Sequence, residues 1–311
     1  MSYLRGSLRP DTPPPGVTPA APSPWGKTRH LFHGWNGSVF DMTDGSNGTY
    51  LLPVGIEGMG MPDIDNYTFN SPVVHGVEWE GWRASGRECH WVIGVFERSS
   101  VEWLRQVRSF WKIFQPGKVL RWEIILPDGV HLNIHLRFKT DHTSVYARDP
   151  VKLGWGIYGI TCFAEQPFWE GTPITQTWKP GGGETDFFGP TGFAPDFIID
   201  EGAPLETATV TNPGDVEAWA KWYARGPFAS AVIGLGGYTV SLPESFTNDV
   251  WVLDSDPRNP TAELNGVDMM STLGSFDFAP IPPEEEVELS LQMEGSGQVT
   301  ALFTPLYFRS V

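Results

Sequence analysis

Apolar and polar residues alternate over two long stretches of the chain, and a glycine-containing turn interrupts each stretch. In the first stretch, Leu120, Trp122 and Ile124 precede Pro127-Asp128-Gly129, and the apolar positions resume at Leu132, Ile134, Leu136 and Phe138. In the second, every other residue from Val287 to Met293 is apolar, Gly295-Ser296-Gly297 follows, and the pattern resumes at Val299, Ala301 and Phe303. A period of two on both sides of a turn is typical of a β-hairpin with one buried face. The sequence therefore predicts two hairpins.

One segment between the strand-like runs has helical spacing instead. Ser99 followed by Glu102 forms a capping box, and Pro116-Gly117 marks the end of the segment. Apolar residues recur between them at intervals of three and four, at Val101, Leu104, Val107, Trp111 and Phe114. This spacing predicts a helix over residues 99–114 that packs Leu104, Val107, Trp111 and Phe114 against a sheet.

The rest of the pattern consists of short strand-like runs separated by Gly, Pro and Asn. Residues 1–28 contain seven prolines and few apolar residues, which predicts a flexible arm. Residues 29–168 combine strands with the single helix and predict a β-rich domain. Residues 169–311 contain closely spaced short strands and predict a β-sandwich. The fold class is mainly β.

Charge divides the chain at nearly the same place. Residues 1–165 carry 16 basic and 16 acidic side chains, whereas residues 166–311 carry 5 and 21, so the second half holds the whole net charge of −16. This change supports a domain boundary near residues 163–171. It also argues against nucleic-acid binding by the second half, because phosphates repel acidic surfaces.

Composition narrows the class of protein further. The chain has 14 Trp and 19 Phe, so much of its core is aromatic. Cys89 and Cys162 each lie in an apolar run and are expected to be buried thiols rather than a disulfide. The segment Met1–Gly6 has no apolar signal-peptide core, and no run approaches the about 20 apolar residues of a membrane span. We therefore expect synthesis in a cytoplasm and no membrane insertion.

Candidate chemistry is sparse. His131 and His135 share a strand face, but four strand residues separate them by about 13 Å, too far for one metal ion. Asp63-Ile64-Asp65-Asn66 and Asp254-Ser255-Asp256 lack the glycine and distal glutamate of a calcium loop. Glu78 and Glu80 are a weak candidate for a glycosidase carboxylate pair. The sequence contains no G-x-S-x-G, Walker or C-x-x-C motif. It therefore names no catalytic, cofactor-binding or metal-ligating residue, and it predicts neither an enzyme nor a cofactor.

The order of turns and strand ends resembles a known family. The first half contains Gly58-Met59-Gly60-Met61-Pro62, Ser71-Pro72, His75-Gly76, Gly81-Trp82-Arg83, Pro116-Gly117-Lys118, Leu126-Pro127-Asp128-Gly129 and Glu165-Gln166-Pro167-Phe168-Trp169. The second half contains Thr211-Asn212-Pro213-Gly214-Asp215, Gly226-Pro227, Asp254-Ser255-Asp256-Pro257 and Tyr307-Phe308-Arg309. Their order is similar to that of the distal tail proteins of long-tailed bacteriophages, often called minor tail proteins in phages of actinobacteria.

This resemblance implies an architecture and a role. Residues 29–168 would form a belt domain that assembles as a homohexameric ring, and residues 169–311 a galectin-like β-sandwich. The ring would join the tail tube protein to the tail hub, with the tape-measure and receptor-binding proteins as further candidate partners. The protein would be a structural component of the virion tail tip, made in the host cytoplasm. The Pro-rich arm, residues 1–28, is not part of the family pattern.

A second class of function remains open at this stage. A carbohydrate-binding module or lectin-like adhesin would expose tryptophan from the sandwich, and Trp219, Trp222 and Trp251 are its candidates. Large aromatic residues in alternating strands are more often part of the core, so this reading ranks second. An extracellular glycosidase ranks third, because it would need a signal peptide and a committed pair of carboxylates.

Overall fold

The chain forms two compact units, each described here by itself. The computed structural model describes residues 25–73, 75–142, 149–181 and 203–311. Unit 1 comprises the residues up to Trp169 together with Phe308–Val311, and unit 2 comprises Glu170–Tyr307. The predicted arm therefore lies outside the described residues except for its last four. Of these, Trp25 donates a hydrogen bond from Nε1 to the Leu51 carbonyl at 3.3 Å.

Unit 1 is built from strands with one long helix. Its elements are β1 (Arg29–His33), β2 (Val39–Asp41), β3 (Thr49–Leu51), β4 (Ile64–Phe69), β5 (Glu78–Ala84), β6 (Arg87–Phe96), α1 (Ser100–Trp111), β7 (Val119–Ile125), β8 (His131–His142), α2 (Pro150–Leu153) and β9 (Trp155–Ala164). A short strand, β10 (Trp169–Glu170), lies at the boundary of the two units. Strands β4 and β5 pair with each other as a separate two-stranded hairpin.

Seven strands of unit 1 form one antiparallel path in the order β2-β1-β7-β8-β9-β6-β3. The predicted first hairpin is confirmed, because β7 and β8 pair antiparallel with Leu120 opposite Leu136 and Ile124 opposite Leu132. Alternate side chains of these strands are buried, as a half-buried sheet requires.

Aromatic side chains fill the core of unit 1. The Trp122 ring centroid lies 5.2 Å from that of Trp91 and 5.1 Å from that of Trp169, and Phe32 lies 4.8 Å from Trp91. All four side chains are buried. The two contacts of Trp122 are edge-to-face, and such contacts stabilise the core beyond the area that they bury.

Helix α1 begins at the predicted cap but buries a different face. Ser99 Oγ accepts from the Glu102 backbone N–H at 3.2 Å, and a 3₁₀ turn at Lys112–Phe114 follows the helix. The fully buried helical residues are Trp103 and Phe110, whereas Leu104, Val107 and Trp111 are half-buried and Val101 is exposed. The prediction is confirmed for Phe114, which is buried, and for Trp111, whose ring centroid lies 5.4 Å from that of Tyr158 on β9, but it missed Trp103 and Phe110. Trp103, Val107, Phe110 and Phe114 have the same helical spacing as the predicted set, so spacing alone does not distinguish the two faces.

The apolar segment at residues 151–163 is typical of a strand, but its first residues form a helical turn. Asp149 caps a single helical turn, α2, by accepting at Oδ1 from the Val151 backbone N–H at 3.0 Å. Gly154 ends this turn with a φ of 70°, which favours glycine, and β9 starts at the next residue. An Asp-Pro start and a glycine end are ordinary helix signals that the apolar residues of this segment obscured.

Unit 2 consists of strands and 3₁₀ turns in its described part. Its strands are β11 (Ile174–Lys179), β12 (Ala203–Pro204), β13 (Thr209–Thr211), β14 (Lys221–Arg225), β15 (Phe228–Leu235), β16 (Tyr238–Leu242), β17 (Val250–Asp254), β18 (Thr261–Leu264), β19 (Val267–Asp268), β20 (Glu286–Glu288), β21 (Gln292–Gly295), β22 (Gln298–Phe303) and β23 (Leu306–Tyr307). Seven of them form one sheet, in the order β12-β11-β22-β14-β17-β18-β19. Strands β16-β15-β21 form a second sheet, and β13 pairs with β20.

Side chains from both larger sheets share one core. Trp222, Trp251 and Val299 of the seven-stranded sheet are buried in the same cluster as Ile233 and Val240 of the three-stranded sheet. This is sheet-on-sheet packing. The predicted mainly β fold class is confirmed for the described residues.

The predicted second hairpin is wrong in its pairing. The alternation itself is present, since Leu289, Leu291, Val299 and Phe303 are all buried. However, β21 pairs with β15 in one sheet, whereas β22 pairs with β11 and β14 in the other. The Gly295–Gly297 turn therefore carries the chain from one sheet to the other. A period of two shows which face of a strand is buried but does not identify its neighbours.

Candidate assembly surfaces

Within the described residues, the features of unit 1 include a buried arginine, an exposed hairpin, a charged helix face and a hydrogen-bonded carboxylate. No group of three or more His, Cys, Asp or Glu side chains is placed to hold a metal ion within the described ranges. The absence of catalytic, cofactor and metal residues that the sequence suggested stays a prediction. No helix in the described part of the chain is long and apolar enough to cross a membrane.

Arg87 is a buried cation at the first position of β6. Only 4% of the residue is exposed, and its guanidinium donates to four backbone carbonyls: those of Gly58 (2.6 Å), Gly60 (2.5 Å), Pro167 (2.5 Å) and Phe308 (2.6 Å). Burial lowers the pKa of this guanidinium from its ordinary value. The planar fork of donors suits such a set of carbonyls better than an ammonium would. We call these five residues the Arg87 clamp.

The clamp holds the C-terminal residues of unit 1. Ser310 is fully buried, and its backbone N–H donates to the Met59 carbonyl at 3.0 Å. The Phe308 ring lies 5.7 Å from the rings of both Trp82 and Phe168. The predicted domains counted these last residues with 169–311, whereas they lie with unit 1. Sequence reasoning missed the clamp because the carbonyls that Arg87 binds belong to residues of no particular type.

The β4–β5 hairpin carries exposed aromatic side chains on both faces. Phe69 is 53% exposed and Trp79 60%, and Tyr67 and Trp82 are also exposed. Register places Trp79 opposite Thr68 and Trp82 opposite Asn66, and Trp79 Nε1 donates to Asn66 Oδ1 at 3.2 Å. Tyr67 and Phe69 alternate with these positions and point to the other face. We call this element the aromatic hairpin, and its exposed apolar area marks it as an interaction surface.

Helix α1 presents a row of cations on its solvent side. Val101, Arg105, Arg108 and Lys112 recur at intervals of four, three and four, and all four are exposed. The three cations form no ion pair with any residue in the described part of the chain. At the end of the row, Trp35 donates from Nε1 to the Lys112 carbonyl at 2.9 Å, and Lys118 Nζ lies 5.2 Å from the Trp35 ring centroid. We call this surface the basic stripe.

The outer face of the unit 1 sheet carries a hydrogen-bonded carboxylate. Glu123 Oε2 lies 2.6 Å from His33 Nε2, and Glu123 Oε1 lies 2.7 Å from His131 Nδ1. Partial burial raises the pKa of this carboxyl, but the bonds to His131 and His33 outweigh it and leave the pKa below its ordinary value. The two imidazoles bind different oxygens of the Glu123 carboxylate, so the three side chains form one hydrogen-bonded cluster. His131 is thus a partner of Glu123, and the structure does not join it to His135 as a metal site.

The two thiols lie inside unit 1. Cys89 and Cys162 are buried and free, as predicted, and they face each other in register on β6 and β9. Burial raises the pKa of Cys89 to about 12 and raises that of Cys162 as well. Both are therefore unreactive at neutral pH.

The tryptophans proposed for sugar binding are mostly unavailable. Trp222 is 2% exposed and Trp251 is fully buried, and both belong to the core of unit 2. Trp219 is half-buried. A sugar ring stacks on an accessible aromatic face, which neither Trp222 nor Trp251 provides.

Comparison with solved structures identifies the fold. The chain is similar to the SPP1 Dit (gp 19.1) protein, described as a paradigm of the hub adsorption apparatus in phages that infect Gram-positive bacteria. The TM-score is 0.59 at 13% identity, and the match covers 90% of this chain and 98% of that one. It is also similar to chains of the phage P2 baseplate in its activated conformation, with TM-scores of 0.52 with Ca and 0.51 with Sr. Identity is 10% in both, and coverage is 89% and 88% of this chain and 98% and 97% of those.

These matches confirm, at the level of the fold, the resemblance that the order of motifs indicated. The chain has a Dit-like fold over most of its length. No protein-family model matches the sequence, and no curated protein sequence does either. The solved structures match at 10% to 13% identity, so their likeness to this chain is one of fold.

Proposed function

We propose that this chain is a structural protein of a phage tail tip, and that it forms the ring that joins the tail tube to the tail hub and receptor-binding apparatus. The observation that carries the proposal is the fold, which the chain shares over 90% of its length with the SPP1 Dit protein. In this proposal, residues 29–168 are the ring-forming belt and residues 169–311 a galectin-like sandwich. Tail tube protein and hub protein are the partners.

Surface chemistry supports an assembly role. The aromatic hairpin exposes apolar side chains, and a partner that covers them would remove this apolar area from water. Unit 1 also carries a nearly balanced charge, so copies can approach one another without net repulsion. Both features favour an assembly role, and the burial of Trp222 and Trp251 speaks against the lectin alternative.

A reconstruction of the tail tip tests the proposal. We expect six copies of this chain around the tube axis, between the last tube ring and the hub. Native mass spectrometry of the purified protein adds to this, although a ring that closes only on its partner would give a monomer there. A tail-tip reconstruction without a sixfold ring of this chain would overturn the proposal, and a tape-measure gene directly upstream would support it.

A further inference from the structure

The aromatic hairpin and the basic stripe are complementary surfaces of one unit. Residues 63–84, which include the hairpin, carry four acidic side chains and one arginine, a net charge of −3. Residues 98–118, which include the stripe, carry five basic side chains and one glutamate, a net charge of +4. We propose that the aromatic hairpin of one copy docks on the basic stripe of the next copy. This inference rests on the proposed ring and names the contact that builds it.

The hairpin has the features of the inserting partner. An isolated two-stranded hairpin is marginally stable in water and needs a surface to pack against. Here both faces carry exposed aromatic rings, so covering one face by the rest of unit 1 would still leave the other without a partner. Arg83 already neutralises Asp65, with Nη2 3.1 Å from Oδ2. The negative charge left for a partner is therefore that of Asp63, Glu78 and Glu80.

The stripe has the features of the receiving surface. Arg105 and Arg108 are exposed guanidinium groups one turn apart, and neither forms an ion pair with a carboxylate in the described part of the chain. Arginine pairs with carboxylates and also stacks on tryptophan and tyrosine rings. A surface that is both acidic and aromatic can therefore form both interactions with it. Arginine and aromatic residues are enriched in protein interfaces for this reason. Val101 and Trp35 supply apolar contact at the two ends of the stripe.

The arrangement of the two surfaces sets the symmetry. They are different patches of the same chain, so the contact is heterologous and each copy uses its hairpin on one side and its stripe on the other. A heterologous contact closes into a ring when its rotation divides the circle. Each face of the hairpin carries two aromatic side chains, which offer about 150–250 Å² each when fully buried, and roughly half of this is exposed here. One face thus supplies about a quarter of the roughly 800 Å² per partner that a stable interface buries, and further belt surface completes the contact.

Charge reversal and rescue test the contact in the full-length protein. The variant Arg105→Glu/Arg108→Glu should raise the protein concentration needed for assembly roughly tenfold or more, measured by mass photometry and sedimentation. Glu78→Lys/Glu80→Lys should do the same. Combining all four substitutions should restore assembly, because it exchanges the two charges across the contact. Lys27→Glu/Arg225→Glu is the control, since it changes net charge equally at exposed positions elsewhere. Circular dichroism checks that each variant folds.

Disulfide trapping tests the head-to-tail order. A chain with both Glu80→Cys and Arg108→Cys should give a ladder of covalent oligomers on oxidation, and each single variant should give none. Cys89 and Cys162 do not interfere because they are buried. Dimers from Glu80→Cys alone would show a hairpin-to-hairpin contact and would overturn the proposal. Salt-dependent binding of duplex DNA that Arg105→Glu/Arg108→Glu abolishes would assign the stripe to nucleic acid and overturn it too.

The outcomes separate this contact from the ring itself. If the reversal variants form rings as the wild type does, or if the fourfold variant fails to recover, the contact is wrong while the ring stands. If the wild type stays monomeric at every concentration and the Glu80→Cys/Arg108→Cys chain gives no ladder on oxidation, the contact is again wrong. In each of these cases, the tail-tip reconstruction tests independently whether the ring exists.

Discussion

Arg87 is the residue in the described part of unit 1 whose side chain bonds the largest number of separate backbone segments, those of the Arg87 clamp. Replacing it by methionine removes the donor to four carbonyls while keeping an apolar stem of similar length. We expect Arg87→Met to lower the free energy of unfolding by about 3 kcal/mol or more, because buried acceptors then lose a charged donor. Chemical denaturation measures this loss. Arg83→Met is the matched control, since its ion pair with Asp65 is exposed, and it should leave the midpoint unchanged.

Buried His30 gives the protein a defined response to acid. Desolvation lowers the pKa of this imidazole to about 4, while its Nδ1 accepts from Trp122 Nε1 at 3.3 Å. Because an unfolded histidine titrates near 6.5, the unfolded state takes up the proton first as pH falls. Above pH 6.5, His30 is neutral in both states and does not change the free energy of unfolding. As the pH falls from 6.5 to 4, protonation of the unfolded state lowers that free energy.

A non-titrating variant isolates this contribution. Relative to His30→Asn, the wild type should lose about 2–3 kcal/mol of unfolding free energy between pH 7 and pH 4.5. Urea titrations of both proteins at the two pH values give the difference, in which the shared titration of carboxylates cancels. Parallel losses in both proteins would contradict the assignment to His30.

At the scale of elements, α1 shows how far a helical pattern determines packing. Its cap at Ser99 and its end near Phe114 could be read from the sequence, because capping residues and Pro-Gly act locally. The buried face could not, since two apolar stripes one residue apart have equal spacing. The sheet decides between them: Trp103 Nε1 donates to the Val95 carbonyl at 3.1 Å, and Phe110 packs 5.5 Å from Phe40.

This choice of face predicts two different mutational costs. Trp103→Ala should lower the free energy of unfolding by about 3–5 kcal/mol, because the side chain is fully buried. Trp111→Ala should cost less, since Trp111 is half-buried at the edge of the same cluster. Thermal and urea unfolding of the two variants gives the order, and an equal or larger cost for Trp111→Ala would contradict it.

The crossing between the sheets of unit 2 depends on Gly297. A Cβ at this position would lie 2.3 Å from the Arg225 carbonyl oxygen and 2.9 Å from Met293 Sδ. We expect Gly297→Ala to destabilise unit 2 by about 1–3 kcal/mol, because backbone must move to admit the methyl group. Gly274→Ala is the control, as a Cβ there meets no atom within 4 Å. Equal melting temperatures for both variants would show that the crossing tolerates a side chain.

The same elements show why the second hairpin could not be predicted. Alternation at residues 287–303 gave the buried faces correctly, but strand partners depend on which distant segments supply free edges. Here β21 pairs with β15 and β22 pairs with β14, and both partners lie 60 or more residues earlier in the chain. Pairing over such separations leaves no local mark in the sequence. By contrast, the β7–β8 hairpin was predictable because Pro127-Asp128-Gly129 joins adjacent partners.

At the scale of the whole molecule, the uneven charge predicts a lack of DNA binding. Residues 166–311 hold a net charge of −16, and phosphates are repelled by such a surface. We expect no measurable binding of duplex DNA to the full chain at physiological salt, measured by fluorescence anisotropy. The test also bears on a tail-tip role, because a component beside a DNA path works better without salt-dependent contacts to phosphates. Saturable binding at physiological salt would contradict it.

The assembly surfaces could be predicted only in part. The sequence indicated a protein without a reactive centre and, through the order of its turns, a Dit-like fold. The aromatic hairpin was not predicted as a surface, because the sequence pattern does not show that Trp79 and Trp82 are exposed. Arg105, Arg108 and Lys112 have helical spacing in the sequence, but only the structure shows that all three are exposed.

The return of residues 308–311 to unit 1 makes unit 2 an insertion. A ribosome releases Phe308 only after all of unit 2 has emerged, so the fourth carbonyl of the Arg87 clamp arrives last during synthesis. Until then, unit 1 contains a buried cation with an incomplete set of acceptors. Translation products that stop before residue 308 therefore keep an unfinished unit 1.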